Sequence, residues 1–190
     1  MRKFAWPIFL FLFACSSKAD QPTKENVNTD LLVSLEGIGP LKTDMYQKDL
    51  EKVLDQKLPL TNPQDTISGS FMDSAFIKYK GADMRLTFER AYAANEDIIM
   101  RMTAIETSSP LCKTKDGIGI GSSKEEIINA FPENLLVMNH DYANATDTIP
   151  SKSHYMITVK VQREGPQIIY RLKNNKVYSM VVGYFYDDEE

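Results

Sequence analysis

One pattern occurs twice along this chain, and it limits the folds that the chain can adopt. Each copy opens with closely spaced glycines, at Gly37-Ile38-Gly39 and at Gly117-Ile118-Gly119-Ile120-Gly121. Each opening leads into a short apolar stripe at helical spacing and then into three strand-like runs. A helix followed by a three-stranded meander, repeated, predicts an α+β fold of two tandem αβββ repeats, with helices packed on one face of an antiparallel sheet.

The helices are indicated by apolar spacing and by capping signals. In the first copy the apolar residues that share one helical face are Tyr46, Leu50, Val53 and Leu54. Asp44 with Gln47 has the spacing of a capping box at the start of this helix. Ser123 with Glu126 is the S-x-x-E form of the box, and it precedes the shorter apolar stripe of the second copy.

Strands are indicated by alternation of apolar and polar residues and by turn residues between the runs. The predicted strands are 75–79, 84–88 and 98–105 in the first copy and 155–161, 167–172 and 177–186 in the second. Polar residues between Asn134 and Tyr155 indicate a surface loop there. We therefore divide the folded part of the chain into repeats at 31–110 and 111–190.

The first residues have the order of a secretory signal. Arg2 and Lys3 are followed by the apolar run 4–13, which is too short to cross a bilayer as a helix. Leu12-Phe13-Ala14-Cys15 resembles the lipobox of bacterial lipoproteins. That resemblance implies a signal peptide at 1–14, cleavage before Cys15 and diacylglycerol on the Cys15 sulfur. The alternative is an ordinary signal peptide with an incidental cysteine.

A lipidated cysteine predicts a protein anchored to a membrane through acyl chains such as palmitate. Two acyl chains suffice for stable anchoring, because each buried methylene contributes about 0.8 kcal/mol. Ser16 follows Cys15 where the inner-membrane retention signal of lipoproteins has Asp, so the resemblance implies the outer membrane. Whether the protein faces the periplasm or the outside stays open. Residues 15–30 comprise the lipidated cysteine and a mostly polar segment, which predicts a flexible tether.

Charge and cysteine content argue against a nucleic-acid-binding protein and against a disulfide-stabilised protein. Removing Arg2 and Lys3 with the signal leaves 20 basic residues against 26 acidic ones, a net charge of −6. An acidic chain without a basic cluster is a poor partner for nucleic acid. With Cys15 lipidated, Cys112 has no partner within the chain, so we expect no structural disulfide. Cys112 is expected to be a small buried apolar residue, and the alternative is an intermolecular bridge.

The openings of the two copies carry a second resemblance. Gly119-Ile120-Gly121-Ser122-Ser123-Lys124-Glu125-Glu126-Ile127 and Leu41-Lys42-Thr43-Asp44-Met45 are similar to the openings of tandem-repeat secreted lipoproteins. These lipoproteins are related in architecture to the beta-lactamase inhibitor protein. The openings also resemble those of the small outer-membrane assembly lipoproteins of the SmpA/OmlA type. The resemblance implies a protein-binding scaffold without catalysis. It transfers no inhibitor residues, because the binding loops of such folds vary.

No motif in the chain points to catalysis, a cofactor or a metal. Gly117-x-Gly119-x-Gly121 lacks the G-x-G-x-x-G spacing and the lysine of a phosphate-binding loop, so these glycines predict a tight turn. His140 and His154 are the only histidines, and no Cys/His spacing supports a zinc site. We therefore expect a protein that is not an enzyme and has no catalytic, cofactor-binding or metal-ligating residues.

Two further sets of residues are candidates for sites. Asp-Ser/Thr-apolar triplets resemble the acceptor of O-glycosylation in exported Bacteroidetes proteins, and their candidate acceptors are Thr66, Ser74 and Thr148. Tyr178, Met180 and Tyr184 lie at strand spacing near the end of the chain. They are interpreted either as packing residues or as an exposed row that recognises a partner, since aromatic residues concentrate in interfaces.

The leading hypothesis is a lipid-anchored, non-catalytic envelope lipoprotein that acts as a protein-binding or assembly module. Its expected partners are a membrane, through the lipid, and an envelope protein. The alternative is a periplasmic or surface carrier that holds a hydrophobic ligand between a curved sheet and its helices. A hydrolase with dispersed catalytic residues is the weakest of the three hypotheses.

Overall fold

The computed structural model describes residues 28–60, 72–92, 94–95 and 97–185. In this part of the chain, 50% of the residues lie in strands and 12% in helices. The predicted signal peptide, Cys15, most of the predicted tether and Thr66 lie outside the described residues. The structure therefore concerns the folded body that follows the tether.

The elements follow one another in a regular order. A 3₁₀ turn at Thr29–Leu31 precedes strands β1 (Leu32–Ser34), β2 (Gly37–Ile38) and β3 (Leu41–Lys42), and then helix α1 (Gln47–Leu54). Three long strands come next: β4 (Met72–Tyr79), β5 (Ala82–Tyr92) and β6 (Ile98–Thr107). The rest comprises β7 (Lys113–Thr114), helix α2 (Lys124–Ala130), β8 (Leu135–His140), β9 (His154–Lys160), β10 (Gly165–Lys173) and β11 (Lys176–Phe185).

The strands form two sheets. Among the described residues, the large sheet has seven strands in the order β4-β5-β6-β11-β10-β9-β8, and every neighbouring pair is antiparallel. The small sheet has four short strands in the order β3-β2-β1-β7, in which β1 and β7 pair in parallel. Strand β6 pairs with β11, so the strands predicted for the two copies meet in the middle of the large sheet.

The predicted α+β class is wrong, because the described part of the chain is a β-rich fold with two short helices. The first glycine-rich opening, expected to be a lead-in to a helix, forms strands β2 and β3. A Cβ atom on Gly37 would lie 2.0 Å from the Leu41 carbonyl oxygen, and one on Gly39 would lie 2.0 Å from the Asp30 carbonyl oxygen. Both glycines also have positive φ, so they permit a close approach of backbones that no other residue allows.

The core lies on one face of the large sheet, here called the inner face. Met84, Leu86 and Phe88 of β5 point to this face, as their alternation with Arg85 and Thr87 predicts. The small sheet and both helices contribute residues to the same core: Leu31, Val33, Ile38, Leu41, Leu50, Cys112, Ile118 and Ile127. Residues of both predicted repeats thus share one core, and the division into repeats stays a prediction.

The two predicted helix caps have different outcomes. The capping box at the start of α2 is confirmed, because Ser123 Oγ accepts from Glu126 N–H and Glu126 accepts from Ser123 N–H. The box at the start of α1 is wrong. The N-cap of α1 is Tyr46, which makes no side-chain capping bond, and Asp44 has φ 73° and donates its N–H to the Met102 carbonyl. The backbone of Asp44 and Met45 bonds to Met102 of β6, and these bonds take the place of the predicted side-chain cap.

The six predicted strands overlap β4, β5, β6, β9, β10 and β11. The predicted surface loop at 134–155 is wrong in its first part, because Leu135–His140 forms β8. Four residues in a row there are apolar, and β9 supplies the pairing that settles their conformation. Residues 141–153 lie between the two strands.

Candidate binding face

The side chains that alternate with the core residues form the other face of the large sheet, here called the outer face. Phe76 of β4, Arg85 of β5, Glu106 of β6 and Arg171 of β10 lie on it, because their sequence neighbours point into the core. The described helices and the small sheet place their core residues against the inner face. The outer face is therefore the broad surface that the described part of the fold leaves to solvent.

A groove of about 700 Å³ crosses the outer face over β4, β5, β6 and β11. Side chains that line it include Phe76, Asp83, Arg85, Glu106, Tyr178 and Ser179. Phe76 is 78% exposed and Tyr178 is 40% exposed. Two exposed aromatic rings in one groove with charged side chains form an environment that suits a partner with both apolar and polar groups.

Arg85 and Phe76 interact with each other within this groove. They are directly opposed on β5 and β4, and the Arg85 guanidinium carbon lies 5.8 Å from the centroid of the Phe76 ring. This distance is within the range of a cation–π interaction. The contact stacks an exposed guanidinium on an exposed ring.

Glu106 connects strands at the centre of the outer face. One of its carboxylate oxygens accepts from Arg171 Nη1 at 3.2 Å and from Ser179 Oγ at 3.1 Å. Arg85 lies directly opposite Glu106 in the β5–β6 pairing. The carboxylate is bonded across to β10 and β11, while the Arg85 guanidinium lies against Phe76.

A second groove, of about 370 Å³, continues from Glu106 along the same face. Its lining includes Met72, Thr87, Ile169, Arg171, Val181 and Tyr184. Beside it, Arg101 bonds to the Glu89 carboxylate and lies 3.8 Å from an Asp44 carboxylate oxygen. The two grooves share Glu106 and together form a surface across most strands of the large sheet.

The predicted row of Tyr178, Met180 and Tyr184 is not a single exposed row. Arg171 pairs with Ser179 and Leu172 pairs with Val177, so Tyr178 is an extra residue in β11, a β-bulge. The bulge reverses the alternation, and Met180 is fully buried in the core. Met180 as an interface residue is therefore wrong, whereas Tyr178 and Tyr184 each line a groove.

Tyr178 has a defined environment at one end of the first groove. Its ring meets the His154 ring edge-on, with the centroids 6.2 Å apart. Burial is the main cause that raises the pKa of the Tyr178 hydroxyl, and the Asp141 carboxylate raises it further. His154 is buried, and its Nδ1 lies 2.9 Å from Ser151 Oγ and 3.2 Å from Ser153 Oγ. These contacts hold the ring beside Tyr178.

The described candidate acceptors for a sugar lie in different settings. Thr148 is exposed in the segment between β8 and β9, next to Ile149, which is also exposed. Ser74 is half-buried in the middle of β4, on the outer face. Thr148 is the more accessible of the two, and modification at Thr66, Ser74 or Thr148 stays a prediction.

Cys112 has the role expected of it. It is a free thiol, fully buried in the core, and burial raises its pKa. A buried thiol of raised pKa is a poor nucleophile, so Cys112 acts as an apolar packing residue. This outcome confirms the sequence-based prediction for Cys112.

The two histidines belong to separate elements. His140 ends β8, with Nδ1 3.3 Å from the Ser151 carbonyl oxygen, and His154 begins β9. Within the described ranges, no cluster of three or more His, Cys, Asp or Glu side chains is placed to hold a metal ion. The prediction of a protein without a metal or cofactor stays a prediction.

The sequence analysis did not identify four residues of the outer face as candidates for a site: Phe76, Arg85, Glu106 and Arg171. The alternation of Arg85 and Thr87 with apolar neighbours indicates an outward face for β5. Phe76 lies in a continuous apolar run, Ala75-Phe76-Ile77, which gives no indication of which residue faces outward. Grouping these residues required the strand order, because they come from four different strands.

No protein-family model, curated protein or solved structure matches this chain. Among the helices that the described residues form, none is long and apolar enough to cross a membrane. The geometry of the outer face is thus the main basis for inferring what the folded body does.

Proposed function

We propose that this protein is a lipid-anchored, non-catalytic envelope lipoprotein whose outer face binds a partner protein. The observation that carries the proposal is the groove in which exposed Phe76 and Tyr178 flank Arg85 and Glu106. Aromatic and arginine side chains at the centre of a surface supply most of the binding energy in protein interfaces. The resemblance of the chain's openings to envelope scaffold lipoproteins agrees with this role.

The charges on the outer face define the kind of partner group that fits. The exposed Arg85 guanidinium is stacked on Phe76 and presents donors that suit a carboxylate. Glu106 is already bonded to Arg171 and Ser179, so it fixes the floor of the groove. A partner segment that combines an acidic group with an apolar side chain would satisfy both Arg85 and the exposed rings.

The inner face supports a binding scaffold over a ligand carrier. Leu86, Phe88 and Met102 are fully buried and pack in one core with residues of the small sheet and helices. Close packing of large side chains occupies the space in which a carrier would hold a ligand beneath its sheet. The grooves of about 700 and 370 Å³ lie instead on the outer face.

The anchor is proposed from the sequence alone. Leu12-Phe13-Ala14-Cys15 resembles a lipobox, and the polar residues that follow would tether the body to the outer membrane. Labelled palmitate should attach to the wild-type chain and not to Cys15→Ser, which should also be released from membranes. Equal labelling of both chains would refute lipidation at Cys15.

Partner binding can be tested in cells that produce the full chain. Crosslinking followed by purification should recover one envelope protein in near-stoichiometric amount, and Phe76→Ala or Arg85→Ala should reduce recovery about tenfold, the size of an interface hot-spot effect. Val161→Ala is the matched control, because Val161 is 70% exposed and lies in the turn between β9 and β10. Recovery that is unchanged in the Phe76 and Arg85 variants would contradict the proposal.

A further inference from the structure

Strand β8 has an open edge. It is the last strand of the large sheet and pairs with β9 over its whole length, from Leu135 opposite Lys160 to His140 opposite Tyr155. No other described strand pairs with it. An edge strand carries a row of unpaired backbone donors and acceptors, which makes it a template for pairing with another strand.

The two edges of the large sheet differ in charge. Strand β4, at the opposite edge, contains Asp73 and Lys78, and Lys78 also lies 3.6 Å from Asp83. Strand β8 reads Leu-Leu-Val-Met-Asn-His and contains no Asp, Glu, Lys, Arg or Pro. Charged residues and proline are the usual protection of an edge, so β8 lacks what β4 has.

The side chains of β8 are apolar on both sides of the strand. Leu135 is 47% exposed and Met138 is 43% exposed, and alternation puts these two residues on opposite faces of the sheet. Leu136 and Val137, between them, are only half-buried. A strand added at this edge would cover apolar surface on both faces and pair the backbone at the same time.

The hydrogen-bond pattern shows which backbone groups point outward. Asp141 N–H donates to the His154 carbonyl, on the side of β9. In an antiparallel pair every second residue bonds to the same neighbouring strand, so the backbone groups of Asn139, Val137 and Leu135 also bond to β9. The N–H and C=O groups of Leu136, Met138 and His140 then point to the open edge. Met138 is the middle of these three.

We propose that β8 pairs in antiparallel fashion with β8 of a second copy of this chain, about a two-fold axis at Met138. In this register Met138 opposes Met138 of the partner subunit, and Leu136 opposes His140 of the partner subunit. The outward groups of all three residues are then paired on both chains. The two large sheets join into one continuous sheet.

A second copy suits this edge because β8 is complementary to itself. Pairing about a two-fold axis sets the axis residue against its own copy. Met138 carries no charge that would repel its copy, and no other residue of this strand has a Lys, Arg, Asp or Glu side chain. The carboxylates that bracket it, Glu133 and Asp141, do not face each other in this register, since Asp141 opposes Leu135 of the partner subunit. Two copies of β8 can therefore form this contact by themselves.

The proposed dimer is independent of the proposed function. It uses the edge of β8, whereas partner binding uses the outer face over β4, β5, β6 and β11. Loss of one interaction leaves the other in place. Phe76→Lys, at the opposite edge of the sheet, is therefore a matched control for lysine substitutions in β8.

The oligomeric state of the full chain tests the proposal. Sedimentation equilibrium in density-matched detergent should show a reversible dimer for the wild type and for Phe76→Lys. Met138→Lys sets two charges against each other at the axis and should weaken the dimer about tenfold or more. Met138→Glu also sets two like charges against each other at the axis, and it provides a second variant should Met138→Lys not fold. A monomeric wild type, or a dimer that neither β8 variant weakens, would overturn the proposal.

The register has its own tests. Amide exchange of the wild type should show concentration-dependent protection at Leu136, Met138 and His140, whereas Val137 and Asn139 are protected by β9 at every concentration. Met138→Cys should form an interchain disulfide on oxidation with diamide, because the Cα atoms of a hydrogen-bonded antiparallel pair are about 5.5 Å apart. Val137→Cys, which would oppose Asn139 of the partner subunit, should not. Protection that does not depend on concentration, or equal crosslinking of both variants, would refute this register.

Discussion

At the scale of single residues, Glu51 shows how a buried charge is accommodated in this fold. Its carboxylate accepts from Lys57 Nζ at 2.6 Å, from Leu58 N–H at 3.1 Å and from Gln47 Nε2 at 3.0 Å. The bond from Lys57 is the main cause that lowers the pKa of Glu51, and it outweighs the opposing effect of burial. Glu51 thus ties the end of α1 to the segment that follows it.

The lowered pKa makes stability depend on pH. A carboxyl whose pKa is lower in the folded state stabilises the fold above its unfolded pKa, near 4.5, and loses that contribution as the pH falls through the folded value. Glu51→Gln should reduce the free energy of unfolding at pH 7 by about 1–3 kcal/mol and flatten its decline at acid pH. Urea denaturation at a series of pH values from neutral to acid measures both effects.

Asp49→Asn is the matched control for Glu51→Gln. Asp49 lies on the same helix and bonds Lys52 at 2.8 Å, but both side chains are largely exposed. Exposed pairs contribute little, so this change should alter stability by less than about 0.5 kcal/mol. A larger loss in Asp49→Asn than in Glu51→Gln would contradict the assignment.

The buried position of Met180 gives a second prediction at this scale. Met180→Ala should cost about 2–5 kcal/mol of unfolding free energy, because the side chain is fully buried in the core. Tyr178→Ala is the comparison and should cost less, since its ring is partly exposed in the groove. Urea denaturation of both variants decides the order, and a smaller loss at Met180 would refute the bulge.

At the scale of elements, the two helices begin in different ways. Helix α2 carries a complete capping box, in which Ser123 and Glu126 satisfy each other's backbone N–H groups. Helix α1 has no side-chain cap, and the residues before it are held by backbone bonds to Met102 of β6. Local sequence therefore defines the start of α2, whereas a distant strand defines the start of α1.

Removing the N-terminal cap of α2 should lower the free energy of unfolding. Ser123→Ala should cost about 1 kcal/mol, since the N–H of Glu126 loses its acceptor. The control is Ser108→Ala, because Ser108 is exposed and lies between elements. Thermal unfolding monitored by circular dichroism compares the two variants, and equal melting temperatures would show that the box contributes nothing.

Two β-bulges show where alternation stops being a reliable guide. In β6, Thr87 pairs with Ala104 and Phe88 with Met102, so Thr103 is an extra residue. As a result Ile105 points to the core together with Met100 and Met102, although simple alternation predicts opposite faces. The same effect in β11 puts Met180 in the core. A bulge depends on the partner strand, so it leaves no mark in the sequence of one strand.

At the scale of the whole molecule, the main structural fact is one core shared by both halves of the chain. Phe88 and Met102 from the first half pack in the same cluster as Tyr170 and Val182 from the second. The pairing of β6 with β11 joins the halves through their backbones as well. Each half alone would expose much of the apolar surface that the complete fold buries.

This shared core predicts that neither half is stable alone. A chain of residues 31–110, or of 111–190, should show no cooperative unfolding transition, whereas the full chain should unfold in a single transition. Reaction of Cys112 with a thiol reagent follows the same event, because its sulfur is buried until the core opens. A cooperative transition in either half would show instead that the repeats are independent folding units.

The sequence by itself determined much of the local structure. Alternating residues located the long strands, Ser123 and Glu126 located the start of α2, and the burial usual for an unpaired cysteine predicted the buried position of Cys112. These features depend on residues that are close in the chain, so their physical causes are visible in a short window. The membrane anchor at Cys15 is likewise a local motif, and it stays a prediction.

Only the tertiary structure decided how these elements combine. The first opening belongs to the small sheet, where Gly37 and Gly39 lie very close to other parts of the backbone. A Cβ atom at either position would lie 2.0 Å from a carbonyl oxygen, so only glycine fits there. The groove of Phe76, Arg85 and Glu106 exists because β4, β5 and β6 lie side by side, and β8 became a strand because β9 pairs with it. Each of these outcomes depends on contacts between residues far apart in the sequence, whose free energy no single segment contains.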